Sequence, residues 1–334
     1  MPSPLKTINS ADLLERLSSP GGREAFSPLV GVPFVLLDLD ECASAASAGL
    51  ADLGDQLGSL PCPVIGVGGA DAALAGATDV LLERLQDARP LIRNIEAQPL
   101  AATTLVQLLR HNEQTSVPNG LLAESLAFAT LQGSAEFHAH LKERGQSPER
   151  SPSPDPAVRL SREGDVLKLF LSRPEQGNAL SMEMRDGLSE GLQVLAADPR
   201  LTKAIISGVG RFLCTGGALE EFGLAEDPAR AHLVRSTRHV GLLIHEQTSR
   251  VECHVHGACI GSGIELPAFA HRIVAAEKTF FQLPEINMGL IPGAGGTVSV
   301  LRRIGRQRTA YLCLSAKRIT APTALEWGLI DSIT

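Results

Sequence analysis

The chain has 334 residues, 44% of them apolar and 20% charged, with a formal net charge of −7. A single core seldom grows past roughly 250 residues, so two domains are expected. Negative charge with one Trp and one Tyr excludes a protein built to hold nucleic acid through phosphate contacts or aromatic stacking. No apolar run reaches the roughly 18 residues of a membrane-spanning helix, and the opening MPSPLKTINS lacks a signal-peptide core. The expected setting is therefore cytoplasmic, with no membrane partner. Cys42, Cys62, Cys214, Cys253, Cys259 and Cys313 include no CxxC pair and read as reduced, buried thiols.

In chain order, residues 5–25 read as a polar helix capped near Asn9. VPFVLLDLD (32–40) and PVIGVGG (63–69) read as buried strands, with GLADLGDQLGSL as an amphipathic helix between them, a βαβ unit. LAGATDVLLERLQDA, PLAATTLVQLLRH and GLLAESLAFATLQGSAEFHAHLKER all have apolar residues at helical spacing. Residues 143–157, centred on RGQSPERSPSPDP, read as a Pro/Ser-rich linker. It separates an N-terminal α/β domain rich in helices (1–142) from a second domain (158–334). In the second domain DVLKLFLSR and TKAIISGVG are strands, and MEMRDGLSEGLQVLAAD and HLVRSTRHVGLLIHEQTSR are helices. VECHVHGACIGSG is a strand and turn, HRIVAAE and the stretch before Pro284 are short strands, and TVSVLRRIGRQRTAYLCLSA is a helix. The repeated strand, turn and helix give an α/β layered fold.

Two Gly-rich turns, CTGGALEE (214–221) and IGSGIELP (260–267), each follow a strand and enter a helix. Such turns aim backbone N–H groups outward, where two donors can hold a developing oxyanion such as a thioester enolate. Tight strand-to-helix connection alone is the competing reading. Glu265 and Glu285 both stand in apolar surroundings, where a carboxylate has to be paired, protonated or used. A raised pKa there suits proton transfer, and a capping or pairing carboxylate is the alternative. Cys253, His254, His256 and Cys259 make a poor metal cage, because side chains alternate faces along a strand; no metal is expected. Ser262 lacks the upstream glycine of a nucleophile elbow, and Gly208 to Gly210 does not extend to a nucleotide-binding fingerprint. LRRIGRQR (301–308) reads as a solvated helix face or a phosphate attractor, and His138, His140 and His239 as ordinary polar positions on helices.

RPEQGNALS, FLCTGGALEEF, HGACIGSGIEL, FQLPEINMGLIPGAGGT and RITAPTALEWGLID together resemble the crotonase superfamily, the enoyl-CoA hydratases and isomerases, from about Val158 to Ile333. The resemblance implies an α/β fold, a spiral of ββα repeats, assembled as a trimer or a multiple of it, or as a dimer if the N-terminal domain alters assembly. It implies an acyl-CoA substrate and no cofactor beyond the substrate's own coenzyme A. By motif match, the N–H groups of Thr215 and Ser262 form the oxyanion hole. Glu265 helps activate water and Glu285 supplies the proton to Cα. Asn178, Ala179, Leu180, Gly216, Ala218, Leu219 and Gly261 lie along coenzyme A and the substrate. The implied reaction is hydration of a 2-enoyl-CoA. Isomerisation, thioester hydrolysis, C–C bond chemistry and a non-catalytic CoA-ester-binding subunit are the alternatives. Ala218 stands where the family commonly has Asp, and the helical C-terminal lobe that normally covers the acyl site is expected to be lacking, since the motifs run up to Thr334. GLLAESLAFATLQGSAEFHAHL resembles that lobe, and PVIGVGGADAALAGATDVLLE parallels VHGACIGSGIELPAFAHRIVAAE. The first domain is thus either a degenerate crotonase-like half, without the glutamate pair, that replaces the lid, or an unrelated helical domain.

Overall fold

The computed structural model describes residues 5–40, 47–69, 73–145, 154–224 and 227–334; Cys42 and the middle of the expected linker (146–153) lie outside them. The chain opens with α1 (Ser10–Ser18), whose Asn9 cap accepts from the Asp12 N–H. Next come β1 (Val35–Asp38), α2 (Ser47–Gly58), β2 (Val64–Val67) and β3 (Val80–Leu82), and the strands form a parallel sheet in the order β1-β2-β3. Alternation along a strand sends neighbours to opposite faces. Val35 and Leu37 accordingly join a small core with Leu13, Leu17, Leu53 and Leu57, while Leu36, Ile65, Val80 and Leu82 belong to the large core shared with the helices and strands of residues 88–333. One face of the N-terminal sheet is thereby welded to the body of the molecule.

The segment 74–88, expected to be helical, is instead a 3-10 turn (Ala75–Ala77), strand β3 and a second 3-10 turn (Leu85–Ala88). Its apolar spacing fits both periods, and the free edge of β2 decided the outcome: Ile65 pairs with Val80 and Val67 with Leu82. Strand β2, glycines, 3-10 turn and parallel partner β3 reproduce, in short form, the later run from β7 (Val251–Val255) through a 3-10 turn (Pro267–Phe269) to β9 (Arg272–Ala275).

Helices α3 (Arg89–Ala97), α4 (Pro99–Glu113), α5 (Val117–Gln132) and α6 (Ala135–Arg144) come next, with Gly133 and the Ser134 cap dividing the last two. A six-stranded sheet then forms from β4 (Val158–Glu163), β5 (Val166–Leu171), β6 (Lys203–Gly208), β7, β9 and β12 (Ser332–Ile333). All its neighbours are parallel except the β4–β5 hairpin. Between these strands lie α7 (Met182–Ala197), α8 (Pro228–Thr237) and α9 (Val240–Glu246), the last two being a pair of helices where the sequence suggests one. β8 (Ala258–Ile260), β10 (Phe280–Gln282) and β11 (Ile319–Thr320) make a second layer. Four-residue α10 (Ser262–Glu265), long α11 (Gly296–Ser315), kinked at Gly305, and α12 (Ala321–Trp327) complete the chain.

Helix α11 runs through the middle, packed by α3, α4, α5 and β3. The basic run on it is therefore only half a solvated face: Arg302 and Arg308 are exposed, while Arg303 and Arg306 turn inward. Arg306 is largely buried, reaching Asp79 at 3.1 Å and the Thr78 carbonyl at 2.9 Å, while Arg303 reaches the Ala268 and Ala270 carbonyls. Asp79, 1% exposed, also accepts from Arg110 Nε at 2.8 Å and from the Val64 N–H at 2.8 Å. One buried carboxylate thus ties β2, α4 and α11 together. Removing it leaves Arg110 with carbonyl partners alone and Arg306 with only the half-exposed Glu113, at 2.9 Å, as an ion partner, so Asp79→Ala is expected to cost about 3–5 kcal/mol, measured by urea unfolding.

Candidate functional site

The turn Cys214–Glu221 is pinned to the turn before α7. The Leu180 N–H donates to the Gly216 carbonyl at 2.8 Å and the Ala218 N–H to the Leu180 carbonyl at 3.1 Å. Because neighbouring peptides of an extended segment point to opposite sides, the N–H of Gly217 faces away from Leu180. It has no acceptor among the described residues, and Gly217 lines a cavity of about 900 Å³. Thr215 differs from the expectation: its N–H donates to the Gly177 carbonyl at 3.0 Å, so the outward donor on this turn is Gly217. On the second turn Gly261 takes φ 51 and ψ −121, and Ser262 begins α10 with its N–H lacking an acceptor among the described residues. A helix's first N–H groups have no partner within the helix.

Of the other expected binding residues, Leu180, Gly216 and Leu219 line the same cavity. Asn178, Ala179 and Ala218 are buried beneath it. Asn178 is a staple rather than a ligand contact: its side-chain oxygen accepts from the Arg173 N–H at 2.7 Å, and its amide donates to the Val209 and Phe212 carbonyls at 3.0 and 2.9 Å. Gly261 also lies underneath, and its lack of a side chain matters. A Cβ there would stand 2.7 Å from Glu285 Oε1 and 3.7 Å from Glu265 Oε1. The two carboxyl groups converge on one point.

Glu265 ends α10 and is held by Oε2, which accepts from the Ala294 and Gly296 N–H groups at 2.8 and 2.9 Å. Burial pushes its carboxyl up to about 7, and those two donors pull against the shift. Glu285 opens a 3-10 turn after β10, 8% exposed, with Oε2 buried and without a partner among the described residues. Burial first, then the negative charge of Glu265, raises its pKa well above the ordinary carboxylate range. An acid so placed keeps its proton, whereas Glu265 retains an oxygen that faces it.

A third buried carboxylate, Glu124 of α5, carries no mark in the sequence motifs. It accepts from the Gly295 N–H at 2.7 Å, the Thr297 N–H at 2.9 Å and the Thr297 hydroxyl at 2.6 Å. Its signal is the one that marks Glu265 and Glu285, a lone carboxylate in an apolar stretch, hidden inside an unremarkable helix. Burial pushes it up to about 8, with the Glu265 charge adding to the shift. Phe128 and Gln132 of α5 and His140 of α6 line the cavity as well. His239, expected as an ordinary polar position on a helix, instead stands just before α9 with Nδ1 buried and without a partner among the described residues, and burial pulls its pKa down to about 4.

Cys253 and Cys259 are buried, while His254 and His256 turn to Glu252 and the Gly210 carbonyl. No group of potential metal ligands gathers among the described residues, and no helix among them is long and apolar enough to cross a membrane.

A carboxyl whose folded pKa is raised contributes stability that is present below its unfolded value, 4.5 for Glu124, and lost as pH climbs through about 8. Glu124→Gln removes that dependence. Unfolding of the two proteins in urea across this window should show wild type losing ground to the variant by up to about 1.4 kcal/mol per pH unit.

Against known proteins, the Enoyl-CoA hydratase/isomerase family profile matches residues 161–334. The chain is 33% identical over 174 residues to the 2,3-dehydroadipyl-CoA hydratase of Escherichia coli (strain K12), covering 52% of this chain and 68% of that protein. It is 29% identical over 168 residues to the mevalonyl-coenzyme A hydratase sidH of Aspergillus fumigatus, covering 50% of this chain and 62% of that one. Among solved structures, an enoyl-CoA hydratase from Thermoplasma volcanium GSS1 superimposes with a TM-score of 0.50 at 29% identity, over 54% of this chain and 72% of that one. These matches cover about half of the chain.

Proposed function

The chain belongs to the enoyl-CoA hydratase/isomerase family of the crotonase superfamily, and from that premise we propose that it hydrates a 2-enoyl-CoA to the 3-hydroxyacyl-CoA. The thioester oxygen lies between the N–H groups of Gly217 and Ser262, which stabilise the enolate as its charge develops. Water, held by the free oxygen of Glu265, gives its hydroxyl to Cβ and its proton to that carboxylate. Glu285 gives its own proton to Cα, and a proton passing from Glu265 to Glu285 resets the pair. The reaction so drawn calls on these side chains, two peptide donors and the substrate's own coenzyme A.

One observation carries this reading: the two glutamate oxygens converge beside Gly261, one carboxyl oriented by two N–H groups and the other raised in pKa by burial and by its neighbour. Environments that push two carboxyls toward different states separate acid from base.

In this reading α5 and α6 cover the acyl site from the N-terminal side of the chain. In support, Phe128, Gln132 and His140 line the cavity, and Arg144 donates to the Leu219 and Phe222 carbonyls of the first turn.

The test follows loss of the conjugated thioester absorbance of crotonyl-CoA and longer enoyl-CoAs. Glu285→Gln and Glu265→Gln should each lower kcat by about 10²–10⁴-fold with product binding retained; unchanged turnover in either variant overturns the assignment. Activity should fall on the alkaline side as Glu285 loses its proton, and Glu285→Gln should abolish that limb along with the rate. Gly261→Ala forces a side chain into a backbone conformation that suits glycine and against Glu285 Oε1. It is expected to cost about 1–3 kcal/mol of stability and to depress kcat more than it alters KM.

A further inference from the structure

Helix α8 turns Arg230, Ala231, Val234 and Arg235 toward the cavity that holds Glu265 and Glu285. Arg230 is exposed, but Arg235 is half-buried and fixed between α8 and α5. Its Nε reaches Ser125 Oγ at 3.3 Å, Nη1 reaches Gln132 Oε1 at 3.2 Å, and Nη2 reaches the Ser125 carbonyl at 3.4 Å. The guanidinium carbon lies 4.6 Å from the centre of the Phe128 ring. All of these partners are neutral. Among the described residues no carboxylate comes within ion-pair distance of Arg235.

The nearby acids are engaged elsewhere. Glu124 is taken by Gly295 and Thr297, Asp227 accepts from the Ala229 N–H at the start of α8, and Glu221 accepts from the Met182 N–H at the start of α7. Burial pulls the Arg235 pKa down to about 10 against the opposing pull of the Glu124 charge, so the water this cation has lost is only partly made good. A guanidinium in that condition binds a carboxylate with charge-assisted, two-pronged hydrogen bonds, and three of its five N–H groups are all that the protein itself occupies. The rest of the lining is mainly apolar, with Leu180, Leu219, Val234 and Met288, and suits a methylene chain.

We propose that the acyl group this site takes ends in a carboxylate, which Arg235 receives within the same cavity. The substrate class is therefore the CoA thioesters of unsaturated dicarboxylic acids. This rests on the hydratase reading above and deepens it. Three of the contacts that set Arg235 in place, Ser125, Phe128 and Gln132, come from α5, so the N-terminal half of the chain sets the acyl preference of the C-terminal half.

The experiment compares kcat/KM of the intact protein for pairs of trans-2-enoyl-CoAs of equal chain length, one ending in a methyl group and the other in a carboxylate, over a series of lengths. The expected result is a preference of about tenfold or more for the carboxylate at the best length, equivalent to about 1.4 kcal/mol. Arg235→Met should bring that ratio to one or below, and Arg235→Lys should restore part of it. Preference for the methyl-terminated partner at every length overturns the inference and leaves the hydratase reading intact. Equal loss on both partners in Arg235→Met also overturns it, placing Arg235 on the coenzyme A portion instead. Turnover of neither class overturns the hydratase reading, and the inference falls with it. Because the wild-type ratio is itself decisive, a variant that fails to fold does not rescue the proposal.

Discussion

The first turn of α11 is where the two halves of the chain meet, and each half brings a carboxylate to it. Four consecutive peptide N–H groups, from Ala294 to Thr297, alternate between Glu265 and Glu124. A helix N-terminus is the place in a fold where buried negative charge is least costly, because its N–H groups have no partner within the helix and its dipole favours an anion. Without that turn neither carboxylate could be held in the interior at 3% and 1% exposure, and Glu265 would have nothing to fix its free oxygen toward Glu285.

The same turn explains why Glu285 differs from its neighbour. Glu265 receives two N–H donors, whereas Glu285 has an oxygen without a partner among the described residues and sits against the charge of Glu265. Donors favour the ionised form, and their lack together with a nearby negative charge favours the neutral form. The two carboxyls are therefore pushed toward different states by their donors, their burial and each other. The N–H groups of Gly217 and Ser262 arise in a similar way, being peptide groups that strand pairing at Leu180 and the start of α10 leave facing the cavity.

A second set of contacts keeps this centre assembled. Asp79 joins the N-terminal sheet to α4 and α11 through Arg110 and Arg306, and Asn112 reaches across to Thr297 at 3.0 Å. Thr297 in turn donates its hydroxyl to Glu124. A chain of buried hydrogen bonds thus runs from the outer helices to the turn that orients Glu265. Asn112 enters this chain through its amide donors alone, its side-chain oxygen having no partner among the described residues, and removing a member of a buried network is costly. The N-terminal half is part of the site's support and wall, not a separate attachment.

By itself the sequence determined the family, the α/β layering, the two glutamates and the two glycine turns. These are recorded in local order, in Gly next to strand ends and in carboxylates within apolar runs such as SGIELPAFA and FQLPEINMGL. It also marked α5 and α6 as resembling a covering lobe. Only the tertiary structure decided which donor on the first turn faces the cavity. Thr215 and Gly217 are two residues apart, and pairing with Gly177 and Leu180 engages one and leaves the other. The strand at 80–82 likewise depended on the open edge of β2, and the burial of Arg303 and Arg306 on the elements that surround α11. Glu124 and Arg235 acquire their meaning in the same way, from groups more than 100 residues distant in the chain. Local patterns record which residues can carry charge or turn the backbone, but whether a polar group is left facing a cavity depends on partners that only folding brings beside it.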